Sequence, residues 1–308
     1  MIYVFLEGRL GNLLYEIAAA ATLSERLQVP YCAVVNKNYH CTEPDNCSLT
    51  EYIKPYKETI FRNIPFAEDI PADAVWTPYD GMDLNTITSV PATGLVIYGT
   101  YQDIRFFPDS LLQRLFAPSA ERIVIIEETF SILRVESVTC SIVVRRGDYL
   151  RLPMSNPAED YAYYHKCMRT LEKMLHTKDI HYVVISDDTD WCQKHFKGEN
   201  ITIVPHIDPL TDLYVAALCK HNIISNSSFA QWGAHLNTNP NKVVLYPNPW
   251  FGKAMWRHEK ENIDRMVPST WIPVHHYSRA YLYGCLLYLI KGTSKHLKKL
   301  TTLFKCRA

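Results

Sequence analysis

The clearest hydrophobic patterning lies in the second half of the chain. Short apolar runs at Ser141–Arg145, His181–Ser186, Ile201–Val204, Asn222–Ser225 and Lys242–Tyr246 predict buried strands. A strand covered on both faces reads as a continuous apolar run rather than an alternating one. Between these runs, Ala158–His176 is long and proline-free, and Thr211–Lys220 and Phe229–Leu236 carry helical spacing. Strands alternating with helices predict βαβ units and a parallel sheet. The first residues repeat the theme. Ile2–Leu6 predicts a strand, Gly8–Asn12 a turn, and Leu13, Leu14, Ile17, Ala20 and Ala21 recur as one face of a helix. Residues 35–95 are punctuated by Pro44, Pro55, Pro65, Pro71, Pro78 and Pro91, and only Leu95–Tyr98 near their end predicts a strand. No internal repeat of solenoid or propeller period is present.

A chain of 308 residues is about twice the usual ~150 per domain. A boundary near Pro118–Arg122 gives units at 1–120 and 121–274, with a tail at 275–308. Lys+Arg and Asp+Glu are both 32, so no global basic field recruits nucleic acid, and any anion site must be local. The nine cysteines form no CxxC pair or zinc-ligand spacing, which fits reduced thiols. Met1–Leu6 lacks the basic stretch of a secretory signal, and no apolar run reaches the ~18 residues of a membrane span. A cytoplasmic location is the expectation.

Candidate chemistry clusters just after the expected strands, where α/β sheets bind ligands. In Gly8-Arg9-Leu10-Gly11-Asn12, glycines allow close backbone approach and a helix start offers N–H groups to an anion. In Arg145-Arg146-Gly147-Asp148-Tyr149, adjacent arginines point in different directions, so at least one can line a cleft and grip phosphate with its fork. In Ser186-Asp187-Asp188-Thr189-Asp190, the carboxylates could meet a base, a ribose or a metal (Asp188 with Asp190), or Ser186 or Asp187 could cap a helix. In Ser225-Asn226-Ser227-Ser228-Phe229, hydroxyls and amides at a helix start suit a phosphate. The GxxxxGK[ST], GxSxG, HExxH and GxGxxG patterns are absent. His165 and His221 fall on helical patterns, and Tyr214 and Trp232 read as core aromatics.

Taken in order, these motifs resemble those of the bacterial α-1,2-fucosyltransferases, glycosyltransferase family 11. GRLGNLLYEIAAA is similar to the family's GGLGNQMFQYA-type opening, and YGTYQDIRFF to its GYFQSEKYF-type segment. SIVVRRGDYL is similar to HVRRGDY, VVISDDTDWCQKHF to FSDDxxWCKxxF, and KHNIISNSSFAQWGAHLN to SNSxFSWWGAxL. The closing WFGKAMWRHEKENIDRMVPSTWIPV carries the family's acidic-proline-Trp ending. The departures are Val143 for the usual His, Leu13 for Gln, and Ala230 and Gln231 for Ser-Trp.

The resemblance implies a GT-B-like α/β fold with two Rossmann-like domains facing a cleft. It implies inverting transfer of L-fucose from GDP-β-L-fucose to the 2-hydroxyl of a terminal β-galactose, with no cofactor and no metal. Arg145, Arg146 and Asp148 become the catalytic candidates. Gly11, Asn12, Asp187, Asp188, Ser227, Ser228 and Phe229 become donor contacts, and Arg9, Tyr101, Gln102, Gln231 and Trp232 acceptor-side candidates. The competing readings are a metal-dependent transferase using Asp188 and Asp190, and a nucleotide-binding module without transfer. The family blocks stop near residue 274. Beyond them, aromatic and aliphatic residues from Tyr277 to Ile290 precede Lys291, Lys295, Lys298, Lys299, Lys305 and Arg307. That pattern predicts either a helix lying in a membrane interface or a terminal helix folded back across the other domain.

Overall fold

The computed structural model describes residues 1–41, 45–79, 83–134 and 137–291. The first unit comprises β1 (Ile2–Leu6), α1 (Leu10–Leu27), β2 (Tyr31–Val35), β3 (Phe66–Ala67), β4 (Val75–Trp76) and β5 (Leu95–Tyr98). Its five strands run parallel in the order β3-β2-β1-β5-β4. An antiparallel hairpin, His40–Cys41 with Cys47–Ser48, rises from the connection after β2.

Helices α2 (Asp109–Phe116) and α3 (Ala120–Thr129) lead into the second unit. There β6 (Val138–Val144), α4 (Tyr161–Met174), β7 (Ile180–Ser186), α5 (Thr189–His195), β8 (Ile201–Ile203), α6 (Pro209–Leu218) and β9 (His221–Ile224) follow one another. They are succeeded by α7 (Ser228–Leu236), β10 (Val244–Asn248), α8 (Trp256–Met266) and β11 (Ile272–His275). The six strands are all parallel in the order β8-β7-β6-β9-β10-β11. The strand order reverses between β6 and β9, and in the first sheet between β1 and β5. Ligands of open α/β sheets sit outside the strand carboxyl ends at such reversals. Three of the four candidate turns, those after β1, β6 and β9, occupy those places, and the fourth follows β7, the neighbour of β6. The architecture is α/β and GT-B-like.

The expected strands are present, with β6 starting three residues earlier than its apolar run suggested. One assignment is corrected: His221 opens β9 instead of lying on a helix. Its Nδ1 accepts the Val243 N–H, which ties the start of this interior strand to its neighbour. Tyr214 and Trp232 are core residues, as expected.

The two units share one hydrophobic core. It runs from β1 and α1 through α2 to α6 and α7. Trp232 of α7 donates its indole N–H to the Gly11 carbonyl of α1 at 2.8 Å. Tyr15 donates its hydroxyl to Gln231 Oε1 at 3.0 Å, and Tyr214 donates to the Phe116 carbonyl at 3.0 Å. Each buried polar group thereby keeps a partner, which spares the cost of burying it unpaired. Residues 279–291 form a further helix after β11. It touches the second unit: Asp160 accepts the Arg279 N–H, and Gly284 lies against Pro153.

Candidate active site

A cavity of about 330 Å³ lies between the two reversals, bordered by the turns after β1, β6, β7 and β9. Helices α1 and α7 both begin on its wall. Their first turns touch: a Cβ on Gly11 would fall 2.6 Å from Ser228 Oγ and 2.7 Å from the Phe229 amide nitrogen. Only glycine lets the two helix starts come this close. Asn12 Oδ1 accepts from Ser228 Oγ at 3.1 Å and from Gln102 Nε2 at 3.3 Å. First-turn amides carry the positive end of the helix dipole, although in α1 the Leu10 N–H donates to the Tyr52 hydroxyl and the Asn12 N–H to the Arg9 carbonyl. The cavity thus has two converging helix N-termini, with Gly11, Asn12, Ser227, Ser228 and Phe229 on its wall.

Arg145 leaves the end of β6 and enters this cavity. Its Nη2 donates to Asp148 Oδ1 at 2.6 Å, and its Nη1 lies 2.8 Å from Asp187 Oδ2. Burial works against its charge, and the carboxylates of Asp187 and Asp148 outweigh that, so the guanidinium is held above its ordinary range. Gly147 makes room for this arrangement, since a Cβ there would fall 2.6 Å from Asp187 Oδ2. Arg9 adds a second cation from the first unit. Its Nε pairs with Asp45 Oδ2 at 2.9 Å, and its Nη1 is 3.9 Å from Asp148 Oδ2.

Six of the candidate residues are not on the cavity wall, and two of them, Tyr101 and Gln102, line a neighbouring hollow. The Arg146 side chain turns to the other side of the strand ends. There its Nε donates to Asp188 Oδ2 at 2.9 Å, and its guanidinium lies 4.2 Å from the Trp191 ring centroid. Asp188 is the N-cap of α5, and its Oδ1 accepts the Trp191 N–H at 3.0 Å. Asp188, and not Ser186 or Asp187, is the cap, and both its oxygens are occupied. Gln231 and Trp232 are fully buried at the junction of the units. Gln231 accepts from Tyr15 and donates to the Met266 carbonyl. They hold the halves together and do not face an acceptor.

Two groups on the wall were missed. Asp212, in the first turn of α6, has one oxygen 2.6 Å from His206 Nδ1 and the other buried without a partner. Burial pushes its carboxyl up to about 6, against the pull of His206. A carboxylate just after the β8 strand was the available signal, but β8 is three residues long and its end could not be aligned with the others. Val143 is also on the wall, so the imidazole of this cavity comes from His206.

The comparisons with known proteins bear on this geometry. The model of glycosyl transferase family 11 matches residues 116–266. The matched residues make up just under half of the chain. Two curated Escherichia coli proteins are similar to the chain. O-antigen biosynthesis glycosyltransferase WbnK is 31% identical over 44% of this chain and 44% of its own length. Alpha-1,2-colitosyltransferase is 26% identical over 57% of this chain and 61% of its own length. The matches therefore span less than two thirds of either relative. Among solved structures, the fucosyltransferase NodZ from Bradyrhizobium matches with 13% identity and a TM-score of 0.46, covering 75% of this chain and 91% of NodZ. The matched segment holds Arg145, Asp148, Asp187, Asp212 and the Ser227–Phe229 turn. The Gly8–Asn12 turn and Gln102 come from outside it.

A second hollow, of about 230 Å³, adjoins the first through the Asn12–Gln102 hydrogen bond. Tyr101, Gln102, Asp103 and Arg105 line one side, and His258, Asn262 and Arg265 of α8 the other. Arg105 is clasped by Asp103 through two nitrogens. Among the described residues, no three His, Cys, Asp or Glu side chains gather to hold a metal.

Proposed function

We propose that the chain transfers L-fucose from GDP-β-L-fucose, with inversion and without a metal, to the 2-hydroxyl of a terminal β-galactoside. The observation that carries this reading is Arg145, set between Asp187 and Asp148 on a wall that also holds two abutting helix starts. That combination suits a diphosphate: a guanidinium fork, first-turn amides and hydroxyls converge where two negative groups would lie. The acceptor hydroxyl oxygen attacks the anomeric carbon and gives up its proton to solvent. The bond from that carbon to the β-phosphate oxygen breaks, and its electron pair stays on the diphosphate. Arg145 and the helix starts meet the charge that develops there, and a fixed donor of this kind is worth about 10²–10³ in rate. Asp148 shares its carboxylate between Arg145 and Arg9 and acts as a positioning residue for both.

Asp212 supports the choice of nucleotide. A wall carboxylate with an unpartnered oxygen suits a base that brings hydrogen-bond donors, and the guanine edge offers two adjacent ones, N1–H and the 2-amino group. The second hollow supports a sugar acceptor. It combines carboxylates, amides and an aromatic ring, the groups that hold a neutral hexopyranose, and the chain Ser228–Asn12–Gln102 links it to the donor cavity. The similarity to a colitosyltransferase favours one second reading, a colitosyl donor in place of the fucosyl one.

The test is a donor screen with GDP-fucose, a colitosyl nucleotide, GDP-mannose and UDP-galactose against lactose, with EDTA present and product linkage read by NMR. An α-1,2-fucosylated product is the expected result. Tighter calorimetric binding of UDP than of GDP, or a requirement for Mn²⁺, would overturn the reading.

A further inference from the structure

We infer that the helix at 279–291 docks the protein onto an anionic lipid surface. This helix is oriented opposite to an ordinary surface helix. Its start is capped and tied down by polar groups, and its buried side is held by a close backbone contact. Ser278 Oγ accepts the Tyr281 N–H, Asp160 accepts the Arg279 N–H and pairs with His276, and Gly284 is buried against the Pro153 carbonyl so tightly that a Cβ would overlap it. The apolar residues are on the other side. Leu282, Tyr283, Leu286, Leu289 and Ile290 recur at i, i+1, i+4, i+7 and i+8 and so form one stripe. All five are exposed, Leu282 by 57%, Tyr283 by 55% and Leu286 by 53%. Tyr277, just before the helix, is exposed by 62%. Contiguous apolar surface of this kind on a folded protein marks an interaction site.

Charge selects the occupant. From Lys291 to Ala308 the sequence holds six basic residues and no acidic one. Removing those six from the 32 Lys and Arg leaves 26 basic against 32 acidic residues in the rest of the chain. The body of the protein is thus repelled by an anionic surface, and the stretch that follows the apolar stripe is attracted to it. Residues 292–308 lie outside the described residues and enter through their charges alone. No described helix is long and apolar enough to cross a membrane. An exposed apolar stripe, tyrosines at its margin and an adjoining basic run fit a helix lying in the plane of the headgroups. The inference does not depend on the transferase reading, because vesicle binding needs neither donor nor acceptor.

The experiment is co-flotation of the full-length protein with vesicles of phosphatidylcholine alone and of phosphatidylcholine with about a third phosphatidylglycerol. Wild type should float with the anionic vesicles, and raising salt should weaken that binding. The variant carrying Leu282→Glu and Leu286→Glu should lose at least tenfold in bound fraction while keeping its circular dichroism and GDP affinity. A second variant, with Lys291, Lys295, Lys298 and Lys299 all changed to Gln, should lose the preference for anionic lipid. Absence of wild-type binding to either vesicle, or equal binding by the Leu→Glu variant, would overturn the proposal. So would a lipid-free dimer in sedimentation that the Leu→Glu changes dissolve, since the stripe would then be an interface between copies.

Discussion

Two arginine–aspartate pairs stand back to back at the ends of β6 and β7. Arg145 with Asp187 faces the cavity, and Arg146 with Asp188 faces the start of α5. The residue types and pairing distances are nearly the same, 2.8 and 2.9 Å. What differs is what else each pair is fastened to. Arg146 is stacked on Trp191, and Asp188 spends its other oxygen on the helix cap. Arg145 is held only by carboxylates and the nearby Tyr149 ring, and a diphosphate can compete with carboxylates for a guanidinium. Alternation along an extended chain sends neighbouring residues to opposite sides, so one arginine can be spent on structure while the other stays available for a ligand.

Changing the front pair should have the largest effect. Arg145→Ala is expected to lower kcat by roughly 10²-fold or more, comparable with losing one oxyanion donor. Arg145→Lys should recover little, because a point charge does not replace the fork. Steady-state turnover with GDP-fucose checks both. Near-normal turnover in Arg145→Ala would erase the distinction between the two pairs.

The asymmetry was only partly legible in the sequence. The apolar runs of β6, β7 and β9 announced a parallel sheet, and the turn after each was placed correctly, because β6 and β7 are seven residues long and largely apolar and β9 ends in Ile223 and Ile224 just before its turn. Direction was not legible. Alternation says that Arg145 and Arg146 diverge, but not which of them meets the cavity. That depends on the side from which the first unit packs. The same blindness misplaced Gln231 and Trp232, since a motif match carries no information about which helix face is buried. The region from residue 35 to 95 stayed unread for a different reason. Strands β3 and β4 are two residues long and owe their conformation to the neighbours they pair with. Helix α8 was also missed, because its sequence, WRHEKENIDRM, is dominated by polar residues.

Asp148 sharpens what the front pair does. With one oxygen on Arg145 and the other facing Arg9, it should hold both cations in place. Asp148→Asn is expected to cost about 10- to 100-fold, the worth of one hydrogen bond to a charged group, in kcat and in calorimetric GDP affinity together. A fall in kcat alone, by 10²–10⁴, would show that Asp148 takes the acceptor proton instead.

Asp212 is the wall carboxylate without an arginine, and it makes a pH prediction. Its carboxyl is held at about 6, above its ordinary 3.8, chiefly by burial and with Asp208 adding to the rise. The free protein therefore keeps this proton at pH 5 and has lost it by pH 7. The stability it contributes is complete below about 3.8 and gone above about 6. A base offering N–H donors binds the ionised form, so GDP affinity should rise about tenfold from pH 5 to pH 7. Calorimetry at the two values measures it. In Asp212→Asn the affinity should be lower at pH 7 and flat across that range, whereas a retained tenfold slope would show that Asp212 is not the source of the pH dependence.

The back pair should give the smallest change in turnover, and its effect should appear in stability. Asp188→Ala removes the cap of α5 and leaves Arg146 facing Trp191 without its carboxylate. Loss of an N-cap of this type costs about 1 kcal/mol, and the unpaired guanidinium can still reach water, since its side chain is 16% exposed. Urea unfolding should therefore show a destabilisation of about 1–2 kcal/mol. Turnover per folded molecule should remain within about threefold, because Asp187 keeps the Arg146 N–H on one oxygen and Arg145 on the other. The backbone of Arg146 is thus fixed by Asp187 and not by Asp188, which is why losing the back carboxylate leaves the front one in place. A hundredfold loss of turnover in Asp188→Ala without a matching loss of stability would mean that the two pairs act as one unit.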